Sequence, residues 1–252
     1  ALPIWGRDLV ELERLLLHAM QAGGSAGERA RMRYGQFLVG IGDAAGSERE
    51  LSAVAGNDPL DDFVRTQLLM TIEVAGRADE AQRELQRFLR TPGGNDGSLH
   101  GLAIRIAQGQ HDNAAMTRAI QAAEDAGALP VDTIALLRQM VLDPQGARDA
   151  LRKRTDEEGL KGNIYHASNI ALNAAYLGDV ELAARGVRAM FNSGFTFETT
   201  AGAIWRPVMA SLRKDPAFIE IVRERVLEDS WRTTGHWGRF CQPHGERSLR
   251  CP

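Results

Sequence analysis

The chain has 252 residues, 44% of them hydrophobic and 25% charged, with a formal net charge of −3. This balance can build a core, and it lacks the basic excess that general nucleic-acid binding favours, so no direct nucleic-acid binding is expected. No run of about 18 apolar residues occurs, so no segment reads as a membrane-spanning helix.

The opening residues, Ala1-Leu2-Pro3-Ile4-Trp5-Gly6-Arg7-Asp8, have neither the basic start nor the long apolar centre of a signal peptide, and they lack an initiator Met. The chain therefore reads as a fragment or processed form of a longer protein. Strand signals are nearly absent, and the strong helix formers Ala, Leu, Arg, Glu and Gln dominate. A first helix is expected from Asp8 to Gln21. Asp8 caps it, Leu9, Leu12, Leu16 and Met20 form its apolar stripe, and Gly23-Gly24 ends it.

Five tight turns follow, at Gly42, Gly76, Gly109, Asp143 and Gly178, in steps of 34, 33, 34 and 35 residues. Each separates two helical stretches. The clearest unit runs from Asp62 to Pro92. Its first helix carries Phe63, Leu68, Leu69 and Ile72, and its turn is Gly76-Arg77-Ala78-Asp79 with Asp79 as the cap. The second helix carries Ala81, Leu85, Phe88 and Leu89 and stops at Thr91-Pro92. Small Ala81, Ala114 and Ala183 share one offset after their turns and let paired helices approach. In the fourth unit Asp143-Pro144-Gln145-Gly146 replaces the glycine turn, which puts Arg148 at that offset.

A helix-pair period near 34 residues over 26–194 resembles the tetratricopeptide-repeat (TPR) family in its degenerate bacterial form. The fold class expected is all-α, a TPR-like right-handed helical solenoid of about six to seven helix pairs. Residues 1–25 supply an N-terminal helix, 26–194 the repeats, and 195–252 an aromatic cap and a cysteine-containing tail.

The C-terminal region is the most specific part. It reads Trp205-Arg206-Pro207, then Leu212-Arg213-Lys214-Asp215-Pro216-Ala217-Phe218, then Trp231, Gly235, Trp237 and Phe240-Cys241. This resembles the closing segment of bacterial repeat proteins that carry a winged-helix regulator or a nucleotidyl cyclase at the other end. Gly238-Arg239 stands where Pro-Asp is usual in that segment. The resemblance implies the sensor or scaffold part of a larger signalling or transcription regulator. Trp205, Trp231, Trp237 and Phe240 are expected to cover the last repeat, because a solenoid end otherwise exposes apolar helix faces.

Catalytic signatures are absent. Gly40-Ile41-Gly42-Asp43-Ala44-Ala45-Gly46 looks like a dinucleotide fingerprint, but no strand precedes it and a helix-pair turn explains it better. No phosphate loop, metalloprotease motif or serine elbow occurs, so neither enzyme activity nor a cofactor is expected. His236, Cys241, His244 and Cys251 could ligate zinc, though their spacing is not that of a standard finger. A disulfide between Cys241 and Cys251 is the favoured reading, free thiols the alternative. The disulfide would contribute roughly 2.7 kcal/mol through loop closure, and it favours an extracytoplasmic over a cytoplasmic setting.

In repeats of this family the first helix of each pair lines a concave groove. Nine residues before the turns lie Arg33, Gln67, His100, Ile134 and Asn169; thirteen before lie Arg29, Phe63, Asp96, Pro130 and Tyr165; six before lie Gln36, Met70, Ala103, Leu137 and Leu172. The expected partner-binding groove is Arg29, Arg33, Gln36, Phe63, Gln67, Met70, His100, Tyr165 and Asn169. Its polar and aromatic mixture suits a protein or peptide partner. Two alternatives stand beside this: a small molecule sensed near Tyr165, His166 and Trp205, or a groove filled by the chain's own tail. A homo-oligomer is compatible with each.

Overall fold

The computed structural model describes residues 8–58, 61–90, 97–160, 164–192, 201–224, 227–244 and 249–251. It is all-α apart from one two-stranded hairpin, with fourteen α-helices among the described residues. Helix α1 (Leu9–Met20) leads, with Asp8 accepting from Glu11 N at 2.9 Å as its cap. Five helix pairs follow: α2 (Gly24–Gly40) with α3 (Ala44–Asn57), α4 (Asp62–Val74) with α5 (Ala78–Phe88), α6 (Gly97–Gln110) with α7 (Asn113–Asp125), α8 (Val131–Leu142) with α9 (Pro144–Glu158), and α10 (Ile164–Tyr176) with α11 (Val180–Asn192). Each helix packs on its neighbours in sequence.

The corners within these pairs fall at four of the five counted places, the third lying two residues after Gly109, and their chemistry repeats. In four of them a backbone N–H reaches back five residues: Asp43 to Leu38, Arg77 to Ile72, Asp112 to Ala107 and Asp179 to Ala174. The residue before each has positive φ: Gly42, Gly76, His111 and Gly178. In the third corner, therefore, Gly109 is still helical and His111 takes the left-handed conformation, at φ 53°. The fourth corner is tighter, closing from Asp143 N to Gln139 O, four residues back.

The helix caps restore one common frame. Asp43, Asp112, Asp143 and Asp179 each accept a backbone N–H three residues on, at 2.8–3.1 Å. Asp79 does not cap α5; Arg77 holds that position without a side-chain bond, and Asp79 lies in the first turn. Four residues after each cap position stand Ser47, Ala81, Met116, Ala147 and Ala183, all with no exposed surface. Ala147 thus fills the small site assigned to Arg148, and Met116 the one assigned to Ala114, which is exposed. One helical turn later Leu51, Leu85, Ile120, Leu151 and Val187 are buried in the same register. Side chains also tie consecutive pairs: Arg77 to Glu48, Gln110 to Asp79, and Arg152 to Asp179.

The regular pairs number five rather than six or seven, because the described chain after α11 turns back against the first helices. Two 3-10 turns, Ala201–Trp205 and Pro207–Met209, form a strap. The first packs on α2, the second on α6 and α10. We call the strap-covered side of these first helices the inner face. Short helices α12 (Ala210–Arg213), α13 (Pro216–Glu224) and α14 (Leu227–Thr234) follow, with α12 and α13 against α11 and α14 against α1. Strands β1 (Gln242–Pro243) and β2 (Leu249–Arg250) pair antiparallel, and a disulfide joins Cys241 to Cys251 beside them.

The aromatic residues pack with the last pair, as expected, and reach the first corner as well. Trp205 Nε1 donates to Gly40 O at 2.7 Å and Trp231 Nε1 to Ile41 O at 2.9 Å, both at the first corner rather than the last. Phe240 stacks on Trp205 with centroids 5.1 Å apart, and Trp237 lies against Trp231 at 5.7 Å. One hydrophobic cluster consequently joins α1 and α2 to α10, α11 and the C-terminal helices. Gly238 makes this seam fit: a Cβ there would stand 2.7 Å from the Gly42 carbonyl.

Gly238→Ala should accordingly destabilise the protein by about 1–3 kcal/mol through overpacking against backbone. Gly56→Ala, on α3 with open space around it, should be neutral or stabilising by up to about 1 kcal/mol. Urea unfolding of both variants checks the contrast; equal stabilities would refute the seam.

Candidate functional site

Counting from the observed caps rather than the glycines continues one inner-face row in a new way. Seven residues before each cap position lie Gln36, Met70, Arg105, Leu136 and Leu172. The third corner closes later than Gly109 implies, so the row runs through Arg105 and not Ala103, which is buried in the α5–α6 core.

Arg105 is held across the inner face by α10. Its Nη2 donates to Asn169 Oδ1 at 2.8 Å, and its Nη1 donates to Asn173 Oδ1 and, at 2.7 Å, to Gln108 Oε1. Three of the five guanidinium N–H groups thus meet neutral amide oxygens. Among the described residues no carboxylate lies within ion-pair distance of Arg105. Burial, followed by repulsion from Arg206, lowers its pKa to about 9. A guanidinium is ordinarily paired when desolvated. One turn earlier, Gly101 has open space where a Cβ would stand.

Behind Arg105 lies a buried ion pair. Glu73, fully buried on α4, has Oε2 2.7 Å from Arg206 Nη2 on the strap. The distance is that of a salt bridge, but its alignment is not that of a hydrogen bond, and Glu73 Oε1 and Arg206 Nε have no hydrogen-bond partner among the described residues. Burial raises the Glu73 pKa, against the opposing pull of Arg206 and Arg105. Pro207 and Glu73 both press on Gly109, where a Cβ would stand 3.1 Å from Pro207 Cβ. The Arg206 and Ile204 carbonyls accept from Arg213 Nη1 at 2.9 and 3.0 Å, which fixes the strap.

The nine expected groove residues divide three ways. Gln36 and His100 are buried, and burial lowers the His100 pKa. Arg33, Gln67 and Met70 are half-buried; Arg33 Nη1 donates to Gln36 Oε1 at 3.1 Å, and Met70 lies under the strap near Gly202. Arg29, Phe63, Tyr165 and Asn169 are exposed. Of these nine, Met70 is the one placed against the strap, while four stay exposed. Trp205 has no exposed surface, so it cannot line a small-molecule site with Tyr165 and His166. The disulfide takes up both thiols of the four residues considered for zinc. A separate cleft of about 540 Å³ lies between the first two corners and the C-terminal segment, lined by Asp43, Glu48, Arg77, Trp237, Arg239 and Gln242 among others.

Comparison with protein-family models, curated proteins and solved structures returns no match to this chain. The site rests on its own geometry.

Glu73→Leu alone leaves the buried Arg206 guanidinium uncompensated and should cost about 3–5 kcal/mol. Adding Arg206→Met should recover most of that loss, as a thermodynamic cycle from chemical unfolding would show; strictly additive losses would contradict the pairing. The pH dependence has a defined sign. A carboxyl with a raised folded pKa holds its proton more tightly folded than unfolded. Its contribution is greatest below the ordinary carboxylate pKa and is lost as pH rises through the folded value. Glu73→Gln should remove that component from the stability–pH profile.

Proposed function

We propose that this chain is a non-catalytic interaction module, a TPR-like right-handed solenoid of five helix pairs, and that its concave side takes an acidic group of a protein or peptide partner at Arg105. The carrying observation is the guanidinium held by Asn169, Asn173 and Gln108 with no carboxylate among the described residues at ion-pair distance. A half-buried cation kept at a cost to stability is characteristic of a binding position rather than a structural one. Two of its N–H groups remain for a carboxylate, and exposed Phe63 and Tyr165 supply aromatic area on neighbouring first helices.

The helix-pair period and the tryptophan-rich closing segment support a place as sensor or scaffold in a larger bacterial signalling or transcription regulator. The disulfide supports an oxidising, extracytoplasmic setting. Small-molecule sensing is the second reading; its support is the cleft beside Trp237, not the inner face.

Arg105→Gln tests the proposal. At neutral pH, below both its depressed value of about 9 and its ordinary one, Arg105 carries the full cost of a destabilised cation. Removing the charge should therefore leave the melting temperature unchanged or raise it. Selection from a random peptide library should enrich Asp, Glu or a free C-terminal carboxylate on the native protein. Affinity for the enriched peptides should fall roughly ten- to hundredfold in the variant. Equal peptide affinities, or a variant destabilised like a core deletion, would overturn the assignment.

A further inference from the structure

The Arg105 site does not end at Arg105. Resting on the reading above, we propose that an acid group bound at Arg105 is taken up together with a proton on Glu73, which makes the site a proton-coupled receptor for carboxylates. The geometry supplies the coupling. Glu73 is an internal acid that draws on the same cations as an incoming acid. It is fully buried, it touches Arg206, and Arg206 and Arg105 act electrostatically on it and on one another. Its oxygens lack aligned donors, so the ionised form is poorly solvated where it stands.

The surrounding charges do not offset this. On the elements packed against α4, α6 presents Arg105 and the strap presents Arg206. Arg33 on α2 is bonded to Gln36. Glu48 on α3 pairs with Arg77 at the second corner, and Asp79 on α5 accepts from Gln110. Arg239 from the C-terminal segment donates to Ala75 O. Glu73 therefore has two cations to share, and a second anion at Arg105 competes for them. Adding that anion raises the proton affinity of Glu73. By reciprocity, protonating Glu73 raises the affinity for the anion.

The test uses the full chain and two probes, acetyl-tetraglutamate amide and inorganic phosphate. Titration calorimetry at pH about 6 and about 8, in buffers of different ionisation enthalpy, reads the protons bound with each probe. We expect tetraglutamate binding with proton uptake and an affinity that falls with rising pH, by at most about tenfold per unit for one linked proton. In Glu73→Gln the uptake and the pH dependence should both vanish while binding persists. Binding to the native protein without uptake, or the same uptake in the variant, overturns the coupling and leaves Arg105 as the anchor. No binding of either probe overturns the Arg105 reading itself. Phosphate alone binding would assign the site to phosphate rather than carboxylate groups and overturn the carboxylate claim. Should Glu73→Gln fail to fold, the carboxyl carbon of Glu73 in the native protein decides by NMR. Its titration midpoint must rise when tetraglutamate is added, and an unmoved midpoint overturns the proposal.

Discussion

Two indole N–H groups govern the architecture. Trp205 and Trp231 donate to the Gly40 and Ile41 carbonyls, which terminate α2. Helix ends leave such carbonyls without intrahelical partners, and here the far end of the chain satisfies them. The consequence is topological. The last part of the molecule must cross the inner face to reach the first corner, and the strap is that crossing. Close backbone approach then requires glycine at Gly238, where a Cβ would meet the Gly42 carbonyl, and the positive φ of Gly42 requires glycine on the other side of the seam.

A strap so anchored changes what an inner groove can do. Trp205 is part of the same core as Phe218, Trp231 and the α10–α11 pair. Burying an indole of that size contributes several kilocalories, of order 3–5 kcal/mol by the cost of truncating such residues. The strap is thus interior structure, and only what it leaves open stays accessible on the inner face. That remainder centres on Arg105, with Asn169 and Gly101 beside it. The ion pair of Glu73 and Arg206 links this opening to the strap. Buried pairs of this kind add little net stability, which directs attention to their electrostatic consequences instead.

Much of the fold was legible in the sequence. Four of the five corners fell at their counted places because local chemistry fixes them: an Asp cap in three, a left-handed residue before the cap position in three, and a buried small side chain four positions on in all four. The misplacements have two origins. His111 adopts a conformation for which glycine is the expected signal, so Gly109 was taken as the third corner and the inner row passed through Ala103. Arg105 escaped notice for that reason alone. Met116 and Ala147 were displaced from their sites by the same error in phase and by the tighter corner at Asp143.

By itself, then, the sequence determined an all-helical chain of paired helices, their caps and their period, since each depends on residues within a turn or two of one another. Tertiary structure alone decided that the tryptophans join both ends of the array, that the inner face is crossed by residues 201–209, and that Arg105 there meets amide oxygens rather than a carboxylate among the described residues. Those outcomes join positions far apart in the chain, up to 190 residues in the case of Trp231 and Ile41. No local pattern carries them, because the partner of a buried polar atom is set by packing across the molecule rather than by its neighbours in sequence.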